Sequence, residues 1–377
     1  MKSNYRAIGE FIQLVDNRNK ELKISRLVGV TVNKIFIESV ANTIGTNMSR
    51  YKIIRKNQFA CSLMQVRRDK KIPVALFKEE EAIISQAYPI FEIIDTKKLL
   101  PEYLMMWMSR TEFDREACFY AIGGVRGSLE WEDFCNMQLP VPSIKKQQEI
   151  VDEYNTIVDR IKLNEQLNQK LEEMAQAIYK QWFVDFEFED NRIPKGWKYS
   201  TLSDITNILM GQSPSGDSYN QDKKGEIFYQ GRTEFEFRFP KVKTYTTQAK
   251  RMAKKGDILM SVRAPVGDLN IANSDCCIGR GVASLSSKNG CNSFLYYLMK
   301  DIKSMFDISN DEGTIFGSIT KDDLHNIEIL KPCDDIILRF DMMIQKIDKE
   351  IEMKCKELDL LEDMRGILLS KLATINV

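Results

Sequence analysis

The side chains best suited to chemistry sit in five loops that mix cations, amides and small residues. They are Thr31-Val32-Asn33-Lys34, Ser62 to Lys71 (SLMQVRRDKK), Gly211 to Tyr219 (GQSPSGDSY), Gln230-Gly231-Arg232 and Ser261 to Asp268 (SVRAPVGD). Asn and Gln amides match an adenine edge, a guanidinium matches guanine, and lysines and hydroxyls match phosphate. The residues suited to nucleic-acid contact are therefore Asn33, Lys34, Gln65, Arg67, Arg68, Lys70, Gln212, Ser213, Gln230, Arg232 and Arg263. Any one of them is equally at home as a solvated loop residue. Their grouping with basic charge is what favours binding.

Catalytic arrangements are harder to find. A single histidine, His325, leaves little room for His-based triads or two-His metal sites. Gly279-Arg280-Gly281 lacks the third glycine of a dinucleotide loop, and nothing resembles GxxxxGK[ST]. Gly123-Gly124 reads as a flexible loop. Cys276-Cys277 would point to opposite faces of a strand, so a buried structural role fits it better than metal binding. There is no [DN]PP[YFW] run of an amino-methyltransferase. The expectation is a binding protein with no catalytic residues and no metal site.

At 377 residues, with 43% hydrophobic and 29% charged, the chain suits two or three globular domains. No apolar run reaches the length of a membrane span, and MKSNYRAIGEF lacks the apolar stretch of a signal peptide. Eight cysteines without regular spacing fit reduced thiols and a cytoplasmic location. The 54 basic and 54 acidic residues cancel, but only globally. Residues 50–71 carry eight Lys/Arg and one acid, and 223–263 carry eleven against four, so each segment is net +7. By contrast 144–190 holds six Lys/Arg and eleven acids, and 334–377 holds seven and ten. Phosphate binding by the basic blocks stays open.

The elements that must position these loops are organised by a repeat. GSLEWEDFCN (127–136) and GSITKDDLHN (317–326) share Gly, Ser, Asp and Asn at an offset of 190, which also pairs Pro142 with Pro332. The same offset continues through a long helical segment. Its seam runs through Ile157, Ile161, Leu171 and Ile178 in the first copy and Ile347, Ile351, Leu361 and Leu368 in the second. Polar residues, Asn164 and Lys354, share one seam position. Roughly 40 residues make each helix about 60 Å long. The fold class expected is α+β: two mixed-β domains with short helices, each followed by a long helix. Two matching seams favour packing of the two helices on each other, and if they pack as an antiparallel coiled coil the internal repeat becomes pseudo-twofold. Boundaries fall at 1–143, 144–190, 191–332 and 333–377. Within the domains, Val28 to Val32, Ile35 to Ile37 and Ile258 to Val262 read as strands, and Leu99 to Phe113 and Phe294 to Phe306 as helices.

The pattern resembles the specificity subunit of type I restriction–modification enzymes along essentially the whole chain. The likeness is carried by WKYSTLSDI (197–205), GQSPSG (211–216), YQGR (229–232), KKGDILMSVRAPVGD (254–268), CCIGRGVA (276–283) and GSITKDDLHNIEILKP (317–332). In the first half GVTVNKIFI (29–37), KNQFACSLMQVRRDKKIPV (56–74) and LPVPSIKKQQEIV (139–151) look like the same domain in another sequence class. The usual P-P-x-x-E-Q before the first long helix is here Pro142-Ser143-Ile144-Lys145-Lys146-Gln147, and the second copy departs further.

The resemblance implies two target-recognition domains, 1–143 and 191–332, each reading one half of a split, asymmetric double-stranded DNA target. The helices would space them and dock two methyltransferase subunits. Those carry S-adenosylmethionine, and translocating restriction subunits with ATP and Mg complete the assembly. Acidic helix faces would avoid DNA and face protein, with Val158, Leu163, Leu167 and Met174 offering a partner-helix interface. Two other classes stay open from the residues alone: a coiled-coil scaffold without DNA function, and a stand-alone DNA-modifying enzyme.

Overall fold

The computed structural model describes residues 5–39, 45–64, 66–121, 127–186, 192–311 and 318–374, and for 304–311 the backbone. Gln65 and Gly123-Gly124 lie outside the described residues. Two compact units emerge: Met1–Leu163 with Asp359–Val377, and Asn164–Leu358. They cut across the four segments drawn from sequence, because each long helix contributes one part to each unit.

Both units are built on the same four-stranded antiparallel sheet. In the first the order is Ile12–Val15, Ile90–Ile93, Phe59–Cys61, Val74–Leu76. The second has Thr206–Met210, Val282–Ser287, Ile258–Ser261, Leu269–Ile271. The inner strands Phe59–Cys61 and Ile258–Ser261 are buried throughout, which is why their sequences run apolar without alternating. A second strand pair closes each unit: Tyr5–Ala7 with Gln138–Pro140, and Lys198–Thr201 with Glu328–Lys331. The short helix before each closing strand, Trp131–Asn136 or Lys321–His325, comes from the repeated motif. In the second copy Thr320 caps it, accepting the Asp323 N–H at 3.2 Å.

The copies diverge outside that frame. The first unit adds a hairpin, Val28–Val30 with Phe36–Glu38, and the pair Lys52–Arg55 with Glu81–Ile84. The second adds a five-stranded sheet in which Glu226–Tyr229 runs parallel to Cys276–Ile278, so the β-structure is mixed. Cys276 and Cys277 are both fully buried, and burial pushes the Cys276 thiol up to about 12. The helix expected over Leu99 to Phe113 is two, Pro101–Met108 and Thr111–Tyr120, because the backbone of Arg110 is extended. The apolar stripe ran across that break, since both pieces bury aromatic residues in one core, Tyr103 and Trp107 from the first and Phe113 from the second.

The long helices are Ile144–Phe183 and Asp334–Lys371. Ser143 caps the first, its Oγ accepting the Lys146 N–H at 3.4 Å. Gln147 is fully buried and ties that turn to the domain. Its Nε2 donates to the carbonyls of Lys98 and Pro142, and its Oε1 accepts the Leu100 N–H at 2.9 Å. In the first unit Val151 and Tyr154 share a core with Leu369 and Leu372. In the second, Ala175, Tyr179 and Phe183 share one with Ile337, Phe340 and Ile344. The start of one helix meets the end of the other in both units, so the pair is antiparallel.

The seam follows the expected register, then drifts. Ile157, Ile161 and Ile351 are buried, while Ile347, Leu361 and Leu368 are half-buried along the same line. Near the end of the first helix Glu172 and Tyr179 take the buried positions, leaving Leu171 and Ile178 half-buried. A 3.6-residue helix slips about 20° per heptad against a 3.5 repeat. At this end, moreover, Tyr179 packs on Phe294 from the domain and on Phe340, with ring centroids 6.1 and 5.8 Å away.

Candidate nucleic-acid interface

In the second unit three glycines bring three loops into backbone contact. A Cβ on Gly211 would lie 2.2 Å from the Gly279 carbonyl oxygen, and one on Gly281 would lie 2.7 Å from that of Gln230. Only glycine allows this approach. Hydrogen bonds complete the junction: Gln212 N–H to Ile278 O at 3.0 Å, Gly279 N–H to Tyr229 O at 2.8 Å, and Val262 N–H to Gly281 O at 3.0 Å. Arg280 N–H also donates to Ser213 Oγ at 3.2 Å. Gln212, Gln230, Arg232 and Arg263 are exposed around this junction, and Ser213 is half-buried within it. Sequence reasoning missed Arg280, which is exposed on the same edge. Its flanking glycines were the signal, once they are taken as close-approach residues rather than as a phosphate loop.

The polar groups here differ in how they are held. Arg232 Nε donates to Asp268, whose other oxygen accepts from Lys303. Burial opposes ionisation of Asp268, but those two cations hold its carboxyl below the ordinary 3.8. The loop behind Arg232 is anchored by Arg238, which is 1% exposed. Arg238 donates to Glu172 on the first long helix and to Asp348 on the second, and stacks 3.9 Å from the Tyr296 ring centroid. A cleft of roughly 240 Å³ beside it is lined by Arg232, Phe235, Asp268, Tyr296, Lys300 and Lys303, among others.

The first unit presents a smaller cluster. Val66 is buried and carries the short helix Val66–Asp69, leaving Arg67, Arg68 and Lys70 exposed. Arg68 pairs with Asp69 at 2.7 Å. Asn33 stands exposed in the hairpin turn, where Lys34 N–H closes on Thr31 O at 3.0 Å. Lys34 itself turns inward, which corrects the expectation of a phosphate contact. Its side chain is 8% exposed and its Nζ lies 2.8 Å from Asp114 Oδ1. Burial lowers its pKa, with Asp114 opposing the shift.

On the first long helix Leu163, Leu167 and Met174 are exposed, and Val158 is half-buried. At about 100° per residue the three exposed residues share an arc of about 40°, roughly 120° round the helix from the seam, whereas Val158 lies roughly 160° from them and flanks the seam. Val158 is therefore removed from that stripe. The second helix bears a longer stripe that sequence reading missed: Leu338, Met342, Met353, Leu360, Met364 and Ile367, all exposed. These lie within about 80° of one another, on the face roughly opposite the seam. Among the described residues no group of three or more His, Cys, Asp or Glu could hold a metal ion. No described helix is long and apolar enough to cross a membrane.

Fold and interface together define a duplicated, helix-paired protein with exposed polar loops on each copy. A family model described as type I restriction modification DNA specificity domain matches residues 32–173 and 194–353, and the chain belongs to that family. It is 28% identical over 316 residues to a Methanocaldococcus jannaschii protein described as the type I restriction enzyme MjaX specificity subunit, covering 80% of this chain and 74% of the relative. It is 22% identical over 362 residues to the HindI specificity subunit of Haemophilus influenzae, covering 73% of this chain and 77% of that one. The crystal structure of a type I restriction–modification S subunit from M. genitalium matches with a TM-score of 0.60 at 15% identity, over 98% of this chain and 95% of the other. At that identity the likeness is one of fold.

Proposed function

We propose that this chain is the DNA-reading subunit of a type I restriction–modification complex and performs no chemistry itself. Each unit would read one half of a split, asymmetric target, because the copies share a frame and differ in their loops. One observation carries the reading: Gln212, Gln230, Arg232, Arg263 and Arg280, distant in sequence, converge on one exposed, glycine-tight edge. Basic flanks would position the units on phosphate while loop side chains read bases.

The outward apolar stripes on the two helices support docking of two methyltransferase subunits. Leu163, Leu167 and Met174 form one stripe, and the row from Leu338 to Ile367 forms the other. S-adenosylmethionine would reside on those subunits, and ATP and Mg on restriction–translocase subunits, with the complex acting in the cytoplasm.

Long-read mapping of methylated adenine in a host carrying this chain with its neighbouring methyltransferase tests the reading. An asymmetric split motif that disappears without the chain is the expected result. A continuous motif, or one independent of the chain, would overturn it.

A further inference from the structure

Of the exposed arginines on this edge, Arg232, Arg263 and Arg280, only Arg232 pairs with a carboxylate among the described residues. Its side chain is 57% exposed, and its Nε donates to Asp268 Oδ2. Both terminal nitrogens are without a partner among the described residues. Asp268 is itself fixed. Its Oδ1 accepts from Lys303 Nζ, its N–H donates to Ser261 Oγ at 2.9 Å, and its carbonyl accepts the Ser261 N–H at 2.9 Å. The Arg232 backbone is pinned too, its carbonyl accepting the Phe235 N–H at 2.9 Å.

A phosphate contact needs none of this. Phosphate accepts a guanidinium from any direction, and a neighbouring carboxylate weakens the attraction. Fixing Nε and freeing the Nη1/Nη2 fork serves a planar partner with two acceptors side by side. In the major groove that partner is guanine, through O6 and N7. Adenine and cytosine place an amino donor on the same edge, and an arginine has no acceptor to meet it.

We infer that Asp268, braced by Lys303, is a positioning residue that locks Arg232 onto a guanine edge in the half-site read by the second unit. This rests on the DNA-reading proposal above. The test uses the whole complex with its methyltransferase, its motif first mapped for the unaltered chain, and methylation then measured on duplexes changed at one position at a time. Asp268→Asn keeps the size and the backbone hydrogen bonds. It should reduce discrimination at one G·C pair of one half-site by roughly tenfold to a hundredfold. Arg232→Lys should relax the same position, and all others should keep their discrimination.

Lys303→Met supplies a second route to the same readout if the first variant fails to assemble. Unchanged discrimination at every position would overturn the inference. So would a uniform loss across positions with a shallower salt dependence, the mark of a phosphate contact. A second-unit half-site without a G·C pair would overturn it as well. If the unaltered chain directs no motif, the DNA-reading proposal itself falls, and that outcome is distinct from the others.

Discussion

Lys34 and Asp114 show how a side chain with the right chemistry can be committed to the fold. Asp114 also accepts the Ile72 N–H at 3.1 Å, so it joins the hairpin turn to the segment after the basic helix. Asp114→Ala would leave a buried ammonium and an orphaned amide, at a cost of about 3–5 kcal/mol, and should lower the melting temperature sharply. Lys34→Met should leave the salt dependence of DNA binding by the complex unchanged. Arg67→Ala should make the slope of log K against log salt shallower by about one. Asp341 offers a titration test. Burial holds its carboxyl above the ordinary 3.8, although it accepts the Phe294 N–H at 3.1 Å. The folded state therefore binds that proton more tightly, and the stability it contributes is lost as pH rises from 3.8 through the folded value. Asp341→Asn should accordingly gain on the unaltered chain across that window in thermal melts.

Whole elements separate what holds the chain together from what it presents. Ile351 is fully buried in the helix seam, and Ile351→Ala should cost about 2–5 kcal/mol. Met342 and Leu360 lie 61% and 64% exposed on the opposite face. Met342→Asp with Leu360→Asp should leave the melting temperature nearly unchanged yet abolish co-purification with the methyltransferase; retained assembly would remove this stripe as the docking face. Arg238 ties the loop that carries Arg232 to both helices through a buried network that also includes Tyr297 and Lys300. Arg238→Met would strand Glu172 and Asp348 without their shared cation, so instability is expected there as well.

At the scale of the molecule, duplication is the organising fact. Two copies of one sheet order carry different loops, so the frame is reusable while the contacts are not. Exchanging residues 191–332 for those of a relative with another target should change one half of the methylation motif and leave the other intact. A change in both halves would show that recognition is not divided between the copies.

The sequence by itself determined the duplication, the long helices with their matched seams, and the loops that mix amides with cations. Those features rest on local patterns: an offset of 190 between GSLEWEDFCN and GSITKDDLHN, a seven-residue apolar period, and turn residues beside cations. Tertiary structure alone decided which cations remain free. Lys34 is withdrawn by Asp114, eighty residues away, and Arg232 is oriented by Asp268, thirty-six residues away. It also moved the seam from Leu171 to Glu172, because Arg238 and Lys300 supply the charge that makes a buried carboxylate tolerable. A one-dimensional pattern records how a residue repeats along its own element. Burial, charge pairing and donor direction are set by partners that folding brings from elsewhere in the chain.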